Sequence, residues 1–422
     1  MIARRWLVAA AGTALMACLG TVYAWSLFAQ PLAVAFGWSA ARTTAPFAAA
    51  IFFLGVGAVL GGRWQDRAGP RPVAVTGAVL WGLGNLLAGL GTARLGSPWL
   101  VATFGVLGGL GLGLGYVTPV AAVTKWFPDR RGLGSGLVVM GFGLGAFVYA
   151  TLLKSLPSFA AVAGEAASLA KSGGGALSAE SIDVLLRTFT VSGAVFLVLG
   201  GASASLVANP PPGLALPAPR VASAARPGPA ADMAPSQALR RPQFWSLWAM
   251  LFLNVTAGIL FISNAVPILR ELTGATPAAA SAAYGAIAVA NGLGRFLWGA
   301  VSDRIGRRAA YVLIYGVQVA IFLAASRVHA LGAASALFAV VLLCYGGGFG
   351  TMPSFVADWF GTRHLGVNYG WILSAWGVAG IVGPFFVAVV KDWTGSYAGA
   401  LPWIAGLLAC ATLLPAVTRR PA

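Results

Sequence analysis

The sequence predicts an all-α membrane protein with twelve transmembrane helices, arranged as two pseudo-symmetric bundles of six. Three observations predict it. The 422 residues are 59% hydrophobic and only 9% charged, against about 25% charged in a soluble globular chain. Apolar runs long enough to cross a bilayer, roughly 20 residues each, recur along the whole length. Two short charged motifs of the first half return in the second half at nearly one offset.

The elements follow in order. Arg4 and Arg5 precede an apolar run from Trp6 to about Phe28. A cleaved secretory core is usually about 7–15 residues, so this run reads as an uncleaved first span at 6–29, despite the cleavage-like Val22-Tyr23-Ala24. Breaks at Pro, Gly and charge clusters place further spans at 44–62, 73–94, 99–125, 132–156 and 187–208. A second set falls at 244–269, 277–301, 309–327, 330–357, 367–390 and 397–418. The segment 157–186, with Gly173-Gly174-Gly175 and mixed charges, is expected as an outward-facing loop. Between the sets, 209–243 carries Pro210-Pro211-Pro212, Arg220, Arg226, Arg240 and Arg241 without a helical period, which is linker composition. The expected organisation is a six-helix bundle at 1–208, a cytoplasmic linker at 209–243 and a second six-helix bundle at 244–422.

The net charge of +17 invites a nucleic-acid reading. The basic residues sit instead in short clusters between apolar runs, as topology signals do. The termini and the loops after the even-numbered spans hold 18 of the 27 Lys and Arg, and the opposite loops hold eight. That excess puts both termini and the linker in the cytoplasm of a cell membrane. Cys18, Cys344 and Cys410 each lie inside an apolar run, so no disulfide framework or metal site is expected. The phosphate-cradling Gly-x-x-x-x-Gly-Lys-Ser/Thr is absent. His329 and His364 lie near span ends and form no nucleophile–base set. Neither an enzyme nor a cofactor is expected.

Gly62-Arg63-Trp64-Gln65-Asp66-Arg67-Ala68-Gly69-Pro70-Arg71 follows span 2, and Gly299-Ala300-Val301-Ser302-Asp303-Arg304-Ile305-Gly306-Arg307-Arg308 follows span 8. Trp126-Phe127-Pro128-Asp129-Arg130 and Trp359-Phe360-Gly361-Thr362-Arg363 follow spans 4 and 10. Parallel repeats of this kind place a substrate site between the halves near the bilayer midplane. In the first pair the glycines allow a tight turn. Its acids, Asp66 and Asp303, can cap a neighbouring helix or pair with arginine. Asp66, Arg67, Arg71, Asp303, Arg304 and Arg308 are therefore the candidate gating residues, the alternative being a topogenic turn without gating work. These turns resemble the signature loops of the major facilitator superfamily, along nearly the whole chain.

Arg295 is the leading candidate for substrate contact. It stands in span 8, eight residues before Asp303, or roughly 12 Å along a helix, well inside the apolar layer. A charge there is costly unless it faces a cavity or a partner. No acid lies at matching depth in any expected span, so the expected counter-ion is an anionic substrate, whose carboxylate a guanidinium binds bidentately. Asn291 shares its helical face. The alternative has Arg295 snorkelling to the surface or capping carbonyls of a neighbouring helix. Tyr116, Tyr345, Phe349, Tyr23, Trp25 and Trp376 complete a ring of aromatics able to enclose a small organic acid, although packing alone also explains each of them. The glycine runs 107–115, 132–145 and 346–350 read as close helix packing.

Tyr23-Ala24-Trp25-Ser26-Leu27-Phe28, Phe244-Trp245-Ser246-Leu247-Trp248 with Asn254, Asn291-Gly292-Leu293-Gly294-Arg295 and Asn368-Tyr369-Gly370 resemble the oxalate/formate antiporter family, related to the monocarboxylate transporters. The resemblance implies small-carboxylate transport by alternating access with Arg295 as the anion anchor. Oxalate exchangers of the family have a lysine in span 11 where this chain has Trp376. One cation suits one carboxylate, so a monocarboxylate such as lactate or pyruvate is expected, with an oxalate/formate-type exchanger as the alternative. Monocarboxylate transporters of mammals place an aspartate where this chain has Asn291 and a lysine near its Ser26. A proton travels with the substrate–arginine pair, or the carrier exchanges anions. The expected partners are the carboxylate, protons and lipid, with the chain acting as a monomer. Drug efflux normally needs an intramembrane acid, and a nutrient sensor an appended domain; both remain as contrasting readings.

Overall fold

A computed structural model describes residues 2–172, 175–217 and 232–421, and among them there is no strand. Gly173, Gly174, Arg220 and Arg226 of the expected loop and linker lie outside the described residues.

Helix α1 (Ile2–Gly20) passes through a 3-10 turn, Thr21–Trp25, into α2 (Ser26–Phe36), so the first crossing runs past its expected end. Then come α3 (Ala40–Ala68), α4 (Pro70–Leu100), a π-helical stretch Val101–Gly108 and α5 (Gly109–Trp126). Helices α6 (Arg131–Ser155), α7 (Pro157–Ser172) and α8 (Ala179–Ser205) precede the linker. A four-residue α9 (Pro235–Ala238) leads into α10 (Pro242–Thr273), α11 (Pro277–Ile305) and α12 (Arg307–Ala325). The chain finishes with α13 (Leu331–Phe360), α14 (Leu365–Thr394) and α15 (Leu401–Val417).

Each expected span has its helix. Among the described residues, eight helical stretches are long and apolar enough to cross a membrane, or nine if a bent pair within α10 counts as one. One of the eight, Pro70–Trp126, has 57 residues, enough for two crossings of roughly 20 each. Helix α11 is long enough at 29 residues, but it carries Asn291 and Arg295 midway, and α14 adds 30 residues more.

The stretch α4–α5 doubles back without a coil loop. Gly77 lies against Gly115 and Gly84 against Gly108, and both pairings are centred on Gly96. Gly96 has φ 68°, a left-handed conformation that glycine adopts without a Cβ clash. Most of the expected loop 157–186 is helical, as α7 and the first turns of α8. Phe159, Val162 and Ala166 recur on one face of α7 and are buried, with the Phe159 ring 5.5 Å from Phe28. The Glu165 carboxylate accepts the Ser178 N–H at 2.7 Å and the Ser181 hydroxyl, which holds the start of α8. The same two groups, Ser181 first, hold its acid below the usual carboxylate range. Small residues and scattered charges hide that helical period in the sequence.

Close approach through glycine also joins the parts of the chain on either side of the linker. Helix α6 lies along α11, with Gly132 against Gly299 and Gly143 against Gly292. Helix α3 lies along α14, with Gly62 against Gly366 and Gly370 against Ala58. Small residues let backbones meet where lipid supplies no hydrophobic drive between helices. The glycine runs do pack helices, as the sequence suggests.

Candidate functional site

Arg295 sits midway along α11, and its residue is 0% exposed. Its Nε, Nη1 and Nη2 have no hydrogen-bond partner. Among the described residues, the ion pairs involve Asp129, Asp303 and Asp358, none with Arg295. The guanidinium faces the Phe349 ring at 4.8 Å and the Phe142 ring at 5.6 Å, so it points inward. Such cation–π contacts are worth about 0.5–2 kcal/mol each. They recover part of a desolvation penalty of several kcal/mol and leave the N–H groups without acceptors.

Glycine lets the neighbouring helices close around Arg295. Gly136 and Gly143 of α6 and Gly350 of α13 approach the α11 backbone beside Arg295. A Cβ on Gly350 would strike the Arg295 carbonyl oxygen. Gly350→Ala is expected to destabilise the protein by about 1–3 kcal/mol, the usual cost of overpacking, read as a lowered melting temperature in detergent. An unchanged melting temperature would mean that α13 shifts freely.

Aromatic rings from five elements enclose the guanidinium. Trp376 of α14 lies 4.7 Å from Phe349, 5.5 Å from Tyr116 and 5.6 Å from Phe142, between ring centroids. Tyr116 of α5 contacts Phe142 of α6 at 5.1 Å. Tyr23, from the 3-10 turn of the first crossing, lies 5.5 Å from Phe142 and 6.1 Å from Trp376. Tyr345 stands 5.5 Å from Phe349, both on α13. Arg295 lies within electrostatic reach of Tyr23, Tyr116, Tyr345 and Tyr369. The hydroxyls of Tyr23, Tyr116 and Tyr369 are buried without a hydrogen-bond partner, as is Asn291 Oδ1, which lies beside Gly346.

Buried polar groups are normally paired. Here one cation and three hydroxyls meet inside an apolar cage without a well-formed hydrogen bond, their polar neighbours being one another: Tyr116 beside Arg295 and Tyr369, and Tyr23 beside Tyr345. Such a cage has donors for an anion and ring faces for its apolar part. It has no second cation among these groups and no carboxylate to neutralise the first. Among the described residues no cluster of His, Cys, Asp and Glu is arranged for a metal.

Six of the seven residues expected at the substrate site, Arg295, Tyr23, Tyr116, Tyr345, Phe349 and Trp376, therefore lie together, while Asn291 is placed only beside Gly346, the neighbour of Tyr345. Trp25 does not join them: its indole donates to the Thr43 carbonyl at 3.0 Å and packs on Phe104 and Phe189. Phe142 and Tyr369 were not expected. Tyr369 stands inside the Asn368-Tyr369-Gly370 motif, whereas nothing marks Phe142 within Gly141-Phe142-Gly143-Leu144-Gly145.

At the end of the molecule bearing the repeated turns, Asp303 accepts the N–H groups of Gly132 at 2.9 Å and Leu133 at 2.8 Å, capping α6. Asp66 accepts those of Gly366 at 3.3 Å and Val367 at 2.9 Å, capping α14. Arg307 joins Asp303 at 2.7 Å and Asp358 at 2.9 Å, and Asp358 also receives Arg131 at 2.8 Å. The inward arginine of this turn is thus Arg307. Arg308, the candidate from sequence, donates instead to the carbonyls of Pro415 at 2.8 Å and Ala416 at 2.5 Å. Arg67, Arg71 and Arg304 are exposed.

A family model described as Major Facilitator Superfamily matches residues 10–384 and 256–422. The oxalate:formate antiporter of Oxalobacter formigenes is 28% identical over 386 residues, covering 91% of this chain and 84% of that protein. Apicoplast pyruvate carrier 1 of Toxoplasma gondii is 29% identical over 361 residues, covering 76% of this chain and 64% of the carrier. Among solved structures, the transporter FucP in the outward conformation superposes with a TM-score of 0.74 at 15% identity, over 97% of each chain.

Proposed function

The chain belongs to the major facilitator superfamily, a multi-pass membrane transporter and not an enzyme, and from that premise we propose that it carries small organic monoanions by alternating access. The observation that carries this reading is the buried Arg295 guanidinium, which no carboxylate pairs among the described residues and which aromatics ring. A monocarboxylate such as lactate or pyruvate would place its carboxylate on Arg295 and the tyrosine hydroxyls, and its short apolar tail against Phe142, Phe349 and Trp376. The relatives named for oxalate, formate and pyruvate are consistent with that chemical class.

The domain division supports the mechanism. Residues 1–208 would form one bundle and 244–422 the other, with 209–243 as linker. Tyr23, Tyr116 and Phe142 then lie on one side of the site, and Arg295, Tyr345, Phe349, Tyr369 and Trp376 on the other. Asp66 and Asp303, each capping a helix across the seam, would act as latches at the cytoplasmic face, with both termini on that side of a cell membrane. The same reading takes the monomer as the working unit.

The empty carrier holds an uncompensated buried charge, and the loaded one does not. Crossing should therefore be faster loaded than empty, which favours exchange of anions over net movement. Liposomes preloaded with unlabelled lactate are expected to take up labelled lactate at least about tenfold faster than empty liposomes. Oxalate outside should compete poorly, since a second carboxylate would be buried unpaired at a cost of several kcal/mol. Failure of lactate, pyruvate and similar monocarboxylates to exchange at all would overturn the assignment.

A further inference from the structure

The two ring faces that attend Arg295 come from opposite sides of the linker. Phe349 stands on α13, which packs backbone to backbone on α11. A Cβ at Gly294, Gly346 or Gly350 would strike the carbonyl oxygen of Leu343, Asn291 or Arg295 respectively. Phe142 stands on α6, which is joined just as closely to the first crossing. A Cβ at Gly141 or Gly145 would strike the carbonyl oxygen of Thr13 or Ala17, and one at Gly20 would strike that of Phe142 itself. Phe349 therefore travels with the cation, and Phe142 with the part of the chain before the linker.

The arginine reaches across to that part. A Cβ on Gly143 would lie 3.2 Å from Arg295 Nε, so the absence of a side chain there lets the guanidinium lie against α6, 5.6 Å from the Phe142 ring. Tyr23, Tyr116 and Trp376 meet this ring at interplanar angles of 87°, 76° and 72°, which fixes its tilt. The site is shut: Arg295, Phe142, Phe349, Tyr116 and Trp376 are all fully buried. With either end open, water would hydrate the guanidinium, and a bound anion would neutralise it. The shut, empty carrier has neither, and the negative faces of the rings are the compensation left. Phe349 offers its face in every state. Phe142 offers its own only when the two parts of the chain close on each other.

We propose that Phe142 is a positioning residue of the transport cycle that acts through Arg295: its ring face, supplied across the α6–α11 seam, stands in for the missing anion and sets how readily the empty carrier shuts. The proposal rests on the alternating-access reading but not on the identity of the anion.

The test replaces Phe142 by monofluoro- or trifluorophenylalanine in the full chain, in lipid nanodiscs without substrate. Fluorine drains the ring face while keeping the ring's shape, and fluorine NMR then reads the same ring in its dry, shut setting and in its wet, open one, the wet signal being the one that shifts between light and heavy water. The trifluoro ring is expected to lower the shut-to-open ratio about two- to tenfold relative to the monofluoro ring, a weakened cation–π contact. In the Arg295→Met background the ratio should not depend on the number of fluorines, which separates the ring's face from its bulk. An equal ratio for the two rings beside Arg295, or a change that persists in Arg295→Met, would leave Phe142 a packing residue and overturn the proposal. Lactate exchange is decided separately in liposomes, so a failed anion assignment leaves this outcome interpretable.

Discussion

Replacing Arg295 with methionine is expected to abolish anion exchange while raising the melting temperature of the ligand-free protein. The two effects have one cause. Arg295 is fully buried, no carboxylate pairs it among the described residues, and the ring faces of Phe142 and Phe349 attend its charge. Swapping buried charge for a well-packed apolar chain of similar volume is often stabilising by about 1–4 kcal/mol. Removing one partner of a buried anion pair costs about 2–5 kcal/mol or more, so transport should fall by at least about 30-fold. Saturating lactate should raise the melting temperature of wild type by mass action and leave Arg295→Met unmoved. A methionine variant that exchanges lactate at the wild-type rate would end the anchoring role. A destabilised variant would mean that the guanidinium holds the helices together.

The second large effect is expected from Trp376→Lys. Trp376 is the ring that contacts Tyr23, Tyr116, Phe142 and Phe349 together, opposite the α11 cation. A lysine there supplies a second charge within the same cage. Oxalate should gain affinity relative to lactate by about 30-fold or more, the equivalent of one close charge pair at about 2 kcal/mol. The empty variant should be less stable than wild type, because two like charges then share a dry site. Competition of labelled lactate uptake by oxalate reads the change. Unaltered selectivity would show that Trp376 does not line the path of the second carboxylate.

The sequence makes some of this visible and hides the rest for physical reasons. A charge inside an apolar run is conspicuous because bilayers penalise it, so Arg295 stands out at once. An aromatic in the same run is not, because lipid contact, packing and substrate contact all favour rings; hence Phe142 escapes notice while Phe349 is found through its neighbour Tyr345. Arg307 and Arg308 are adjacent and chemically identical. Helical phase separates them, turning the first toward Asp303 and Asp358 and the second toward the end of α15, and phase at a glycine turn is not readable from composition. The spans themselves are legible because their hydrophobic length is set by the bilayer rather than by tertiary contacts.

The reversal at Gly96 bears on how the protein is made. Spans 3 and 4 are joined by a tight reversal at the non-helical Gly96, centred between Gly77–Gly115 and Gly84–Gly108. No free hydrophilic stretch is there to be threaded across the bilayer ahead of the second helix. A reversal this tight suits insertion of the pair as one hairpin, and biogenesis rather than transport would suffer first from a bulky residue at Gly96. A valine there, with φ fixed at a value that β-branched side chains avoid, should lower membrane yield while molecules that do integrate still bind their ligand.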